Sequence, residues 1–163
     1  MIEIKRITEN EFQNLVDWNN EKDEDYLFQW AGSKIYKYPI TTEQIKMRVQ
    51  AENVQIFIIF SNGEAVGSIE LFKIDQSWAN VGRFIIRDEV KSKGIGTLAL
   101  KKISDIAFNE MSLTKLTLGV FCYNVSAIRC YEKCGFLVKE YHEREDAKWN
   151  AYTMELINDT LTK

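Results

Sequence analysis

From Phe84 to Leu100 the chain reads FIIRDEVKSKGIGTLAL, an order of parts that few folds accommodate. A strand-like apolar run passes into a short charged loop, then into two glycines one residue apart, then into an amphipathic helix. Glycine lets backbone amides approach a ligand closely, and a helix N-terminus adds partial positive charge. The stretch therefore predicts an anion site served by main-chain N–H groups, set where a strand feeds a helix.

Gly94-Ile95-Gly96-Thr97-Leu98-Ala99 matches the dinucleotide pattern GxGxxA letter for letter. Its surroundings disagree. In a dinucleotide unit the first glycine follows its strand at once, and an acid closes the next strand. Here Arg87 to Lys93 intervene and the next strand ends Phe121-Cys122-Tyr123, without an acid. A Walker loop is excluded because no GK[ST] follows. The plain alternative is a tight turn into a helix.

The rest of the chain alternates in period. Ile2, Ile4 and Ile7 predict a first strand ending near Thr8; Thr8 and Glu11 then form a capping box for a helix carrying Phe12, Leu15, Val16 and Trp18. That helix is expected to fade in Asn19 to Asp25, before an irregular aromatic stretch that closes on Pro39. A second helix runs from Thr41 or Thr42 to Glu52, with Ile45, Met47 and Val49 as its apolar side. Val54–Phe60 and Ala65–Ile74 form a hairpin about Asn62-Gly63, because both turn residues need positive φ. Asn80–Arg87 continues the meander. From Gly94 a helix presents Ile95, Leu98, Ala99, Ile103, Ile106 and Ala107 on one face. Lys115–Cys122 is a strand, Asn124 to Cys134 a helix capped by Asn124 and ended by Gly135, and Phe136–His142 and Trp149–Ile157 are closing strands.

Two segments together carry a resemblance. Lys91-Ser-Lys-Gly94-Ile-Gly96 and, after the next strand, Asn124-x-x-Ala127-Ile-Arg-x-Tyr131-Glu-Lys-x-Gly135-Phe136 resemble the GNAT superfamily of acyl-CoA-dependent N-acyltransferases, most closely the branch of ribosomal-protein and small-amine acetyltransferases. The resemblance implies a single α/β (α+β) domain over residues 1–163. Its mixed sheet would have about seven strands, mostly antiparallel and splayed at the centre, flanked by four helices. It implies acetyl-CoA as acyl donor. The main chain at Phe84, Ile85 and Ile86 would pair with the pantetheine arm. The pyrophosphate would fall to the backbone from Lys91 through Ser92, Lys93, Gly94 and Ile95 to Gly96, with Thr97 adding a hydroxyl and Asn124 and Ala127 contacting the cofactor. Where the family usually has Gln or Arg, Lys91 keeps charge but lacks the bidentate fork. Tyr131 matches the general acid that protonates the departing CoA thiolate; a phenol near pKa 10 stays protonated until a thiolate of about 8.5 leaves. The first two helices and their loop, Asp17 to Thr42, would build the acceptor site.

The base is not carried by the resemblance. An attacking ammonium must lose a proton, and Glu70, between apolar Ile69 and Leu71, is the candidate; an exposed strand glutamate is the plainer reading. Arg83 and Tyr123 border the same region without an assignment. Asp23, Glu24 and Asp25, beside Tyr26, Phe28, Trp30, Tyr36 and Tyr38, could receive an amine cation. The acceptor is then a small amine, a polyamine, an aminoglycoside or a peptide N-terminus, and attack is direct. A non-catalytic CoA-binding module is the alternative, and a nucleotide-binding Rossmann-like domain a third reading.

Composition narrows the partners. With 21 basic and 24 acidic residues and a net charge of -3, the chain lacks the basic footprint of a nucleic-acid binder. MIEIKRIT alternates like a strand, and no apolar run approaches the roughly 18 residues of a membrane span, so a cytoplasmic protein off the membrane is expected. Cys122, Cys130 and Cys134 lack CxxC spacing and offer only His142 as a further ligand; reduced, unactivated core thiols and no metal are expected. A closing strand exposed near Trp149 to Met154 would allow a homodimer.

Overall fold

A computed structural model describes residues 1–32 and 34–158. The strands are β1 (Ile2–Arg6), β2 (Val54–Ser61), β3 (Glu64–Lys73), β4 (Trp78–Ile86), β5 (Lys115–Phe121), β6 (Leu137–His142) and β7 (Ala151–Ile157). The helices are α1 (Phe12–Asn20), α2 (Glu24–Ala31), α3 (Thr42–Val49), α4 (Ile95–Asp105) and α5 (Val125–Lys133). The strands follow one another in the sheet as β1-β2-β3-β4-β5-β7-β6, the mixed and mostly antiparallel arrangement expected. Two compact units share the chain: Met1–Phe72 with Gly82–Lys93, and Lys73–Val81 with everything from Gly94 on.

In the first unit β1, β2 and β3 pair antiparallel. The hairpin between β2 and β3 is made by Asn62 at φ 51° and Gly63 at φ 83°, as the Asn-Gly pair requires. Phe12, Leu15, Val16 and Trp18 bury together, with Leu27, Tyr36, Ile40, Ile45 and Ile85 in the same core. Thr8 Oγ1 donates to Glu11 Oε2 at 2.8 Å and Glu11 Oε1 accepts from the Thr8 amide at 3.2 Å, so the capping box forms. Gly67 is indispensable for packing: a Cβ there would lie 2.3 Å from the Ile85 carbonyl oxygen, which is backbone and cannot step aside.

Three expectations change here. The stretch after Asp23 is not irregular; Asp23 Oδ1 accepts from the Tyr26 amide at 2.9 Å and starts α2, so the α-helices among the described residues number five. An aspartate cap with acids in the first turn is a helix start, which the density of aromatics concealed. α3 ends at Val49 and buries only Ile45; Met47 is 71% exposed, since a residue two positions away points to another helix face. Glu70 is not an exposed strand residue but 1% exposed, on a strand buried on both faces from Val66 to Leu71.

In the second unit the start of β4 pairs parallel with β5 at Trp78↔Lys115, Ala79↔Leu116 and Asn80↔Thr117. β7 pairs antiparallel with β5 on one side and β6 on the other. Ala151 to Met154 is thus interior, and the exposed closing strand proposed for a homodimer does not exist there; the last strand inserts between its predecessors. Ile95, Ala99, Leu100, Ile103 and Ala107 bury one side of the helix, whereas Leu98 is 48% exposed.

Candidate functional site

The glycine-marked loop is shaped by its own backbone. Ser92 and Gly94 take left-handed conformations, φ 66° and 78°, and Gly94 directly precedes α4. Lys91, Ser92, Lys93 and Gly94 are exposed, Ile95 turns into the core, and Gly96 and Thr97 sit half-buried in the first helical turn. A helix start with open amides and no side chain at its cap suits an anion. The lysines are arranged differently from expectation. Lys91 Nζ lies 2.8 Å from Asp88 Oδ1, and Lys22 bonds the other oxygen of the same carboxylate. The hydrogen bond from Lys22, then that from Lys91, hold the Asp88 carboxyl down at about 2.

Phe84 and Ile86 are half-buried and Ile85 is 5% exposed. The Arg87 amide donates to the Val66 carbonyl at 2.8 Å, tying the end of β4 to β3. Between these, Arg83 interrupts the strand at φ 46°, an outlier for a residue with a side chain.

Arg83 belongs to a buried charge cluster in the first unit. Glu70 Oε1 accepts from Arg48 Nε at 3.1 Å and from Arg48 Nη2, and lies 2.9 Å from Arg83 Nε. The Arg83 Nε–H is not aimed at that oxygen, so this contact is an ion pair without a hydrogen bond, and the buried nitrogen has no hydrogen-bond partner among the described residues. Arg48 also lies over the Phe72 ring, 5.5 Å from its centroid. Tyr36 is buried beside the cluster; burial, reinforced by Glu70 and opposed by both arginines, pushes its phenol far up. Trp30 stacks on Tyr36 at 5.6 Å. Arg48 escaped the sequence reading, because it stands in no motif; Tyr36, read there as part of a cation-receiving surface, instead lies in the core beside the cluster. Meanwhile Asp23 is spent on its cap, and Leu27, Ala31 and Tyr36 go to the core, with Tyr26, Trp30 and Tyr38 packed against it.

The second unit gathers Thr97, Cys130, Tyr131 and Cys134. Asn124 caps α5, its Oδ1 accepting from the Ala127 amide at 3.3 Å. The helix then presents Cys130 and Cys134 to the first turn of α4: Thr97 Oγ1 is 3.5 Å from Cys130 Sγ, and Cys134 Sγ donates to the Thr97 carbonyl at 3.5 Å. All three cysteines are free and half-buried, as expected. They are not all inert. The neighbouring Cys134 side chain and, less, Thr97 bring the Cys130 thiol down to about 6 against the opposing effect of burial, while Cys134 is pushed up by Cys130 and by burial. Burial, with a smaller contribution from the two thiols, raises the Tyr131 phenol, whose ring meets Phe136 at a centroid distance of 6.3 Å. Such a phenol holds its proton at neutral pH. No group of three metal-ligating side chains occurs among the described residues.

Known proteins agree with the pattern. Residues 7–136 match the model of the acetyltransferase (GNAT) family. An aminoglycoside N(6')-acetyltransferase type 1 of Klebsiella pneumoniae is 25% identical over 150 residues, covering 83% of this chain and 73% of the relative. The spermidine N(1)-acetyltransferase of Escherichia coli K12 is 36% identical over 84 residues, 51% of this chain and 45% of the relative. A crystal structure of spermidine N-acetyltransferase from Vibrio cholerae in complex with CoA and spermine superposes with a TM-score of 0.82 at 17% identity, covering 99% of this chain and 98% of the other. A family match across most of the length, on a fold and a glycine loop that anticipate it, places this chain in the GNAT family of acetyltransferases, acetyl-CoA-dependent enzymes that acylate amines.

Proposed function

We propose that residues 1–163 act as one acetyltransferase domain that moves the acetyl group of acetyl-CoA to a primary amine by direct attack. The acceptor classes are a small amine, a polyamine, an aminoglycoside or a peptide N-terminus. The amine, its ammonium proton lost to water, bonds through nitrogen to the thioester carbonyl carbon, and as the tetrahedral intermediate collapses the carbon–sulfur bond breaks and the nitrogen gives up its second proton to water. Tyr131 gives its proton to the leaving thiolate. The observation that carries this is Tyr131, half-buried on the helix that follows the Asn124 cap and packed against Phe136, with its phenol pushed up by desolvation. Backbone amides from Lys91 to Gly96 receive the pyrophosphate and the main chain of Phe84, Ile85 and Ile86 the pantetheine, supported by the left-handed turn at Gly94 and the short β4–β5 ladder. Thr97, Asn124 and Ala127 complete the cofactor side. There Asn124 serves first as a cap, and the Thr97 hydroxyl first meets Cys130.

Glu70 was the candidate base. With Oε1 engaged by two guanidiniums, we assign it instead the holding of Arg48 and Arg83 in place. Transfer assays over an amine panel test the whole reading: Tyr131→Phe lowers kcat about a hundredfold or more, with the KM for acetyl-CoA little changed. Acetyl-CoA raises the melting temperature and NAD does not. CoA binding without acylation of any amine defeats the enzyme in favour of a non-catalytic CoA module. Because the donor is a cytosolic metabolite, the enzyme is assigned to the cytoplasm, which cell fractionation checks.

A further inference from the structure

The charge cluster of the first unit is unbalanced. Arg48 from α3, Glu70 from β3 and Arg83 from β4 meet with side chains 14%, 2% and 13% exposed. Two guanidinium charges face one carboxylate, and among the described residues Glu70 is the only acid paired with either. Tyr36 does not supply the missing anion, since its phenol stays protonated. A surplus cation held largely out of water is costly and is relieved by a second anion.

Two further observations single out Arg83. Its left-handed backbone, φ 46° within a strand, is a conformation unfavourable for a residue with a side chain and persists only where surroundings impose it; such strain concentrates at functional sites. Its Nε is buried without a hydrogen-bond partner, and Trp30 Nε1, one stacked ring away through Tyr36, is likewise a buried donor without one among the described residues. Strain, surplus charge and unsatisfied donors meet at one place. By contrast, the acids that could have received a cation begin α2, and the neighbouring aromatics pack in or on the core.

We propose that Arg83, held by Glu70 and backed by Arg48, binds a carboxylate on the acceptor, so that the preferred substrate is an amine that also carries a carboxylate, an amino acid or a peptide end. This rests on the acyl-transfer reading above. A carboxylate at Arg83 brings the cluster to two charges of each sign, and the planar guanidinium suits its two oxygens. The surplus is one unit, which a monoanion neutralises. A polyamine would instead meet repulsion from that surplus.

Matched acceptors test this: lysine against cadaverine and arginine against agmatine, with spermidine beside them, assayed on wild type, Arg83→Gln and Arg83→Lys. Wild type favours the carboxylate-bearing member of each pair by about tenfold or more in kcat/KM, as expected for a hydrogen bond between charged groups. The ratio collapses in Arg83→Gln. Arg83→Lys, which retains charge and protects against a folding failure of the neutral variant, shows an intermediate ratio. Equal or better use of cadaverine or spermidine by wild type, or an unchanged ratio in Arg83→Gln, overturns the proposal. Calorimetry with Nε-acetyllysine and N-acetylcadaverine in the presence of CoA separates it from the enzyme reading. If no amine is acylated yet acetyllysine binds more tightly and Arg83→Gln abolishes the difference, the carboxylate site stands and acyl transfer falls. No difference between the two compounds in wild type rejects the carboxylate site.

Discussion

The two polar clusters are assembled in opposite ways. Cys130, Tyr131 and Cys134 lie within five positions on one helix and its cap, and a single partner, Thr97, joins them from the start of α4. Arg48, Glu70 and Arg83 come from a helix and two strands spread over dozens of positions, and one carboxylate oxygen holds them together. The first is a local arrangement in which hydrogen bonding tunes neutral acids. The second is a tertiary arrangement in which full charges are confined in the core, and it should be the more brittle of the two.

Removing the carboxylate charge tests that brittleness most strongly. Glu70→Gln leaves two partly buried guanidiniums facing each other without their carboxylate, and a loss on the order of 3 kcal/mol is expected in denaturant unfolding. A variant as stable as wild type but with kcat reduced at every pH would mean that Glu70 is the base after all, and would end the structural reading of the cluster. In the local cluster the effect is on reactivity. Alkylation of Cys130 should rise to half its maximum near pH 6, and Cys134→Ala should move that midpoint up toward the ordinary thiol value of 9.0. A midpoint that stays put would remove Cys134 as the cause. Smallest is the exposed group at Asp88. Its carboxyl is depressed in the folded state from 3.8 to about 2, so it contributes stability above pH 4 that is lost as pH falls toward 2. Lys22→Met should flatten that part of the stability profile, read by thermal unfolding from pH 5 to 2; an unaltered slope would assign the acid loss to other carboxylates.

The comparison also explains what was readable in advance. Asn62-Gly63, the Thr8–Glu11 box, the Asn124 cap and the turn at Gly94 all act within a few residues, and each formed as its local chemistry requires. The lowered Cys130 thiol was not readable, because the contacts of Thr97 with both cysteines depend on how side chains of two helices settle. α2 is hard to read from the sequence because its dense aromatics mask the cap signal of Asp23 and the first-turn acids Glu24 and Asp25.

By itself the sequence determined the alternation of strands and helices, the glycine loop and, through two motifs in the right order, the family. Backbone conformation at glycines, caps and hairpins is set by neighbours along the chain, so it survives in the order of residues. Only the tertiary structure decided that β7 lies inside the sheet, that Glu70 is sealed between two arginines, and that Arg83 bends against its strand. Those outcomes depend on which distant residues share the interior, where a charge must find its partner wherever the fold puts one. For this chain the acyl-donor loop between Phe84 and Leu100 was therefore legible in one dimension, and the cluster we assign to the acceptor became visible only in three.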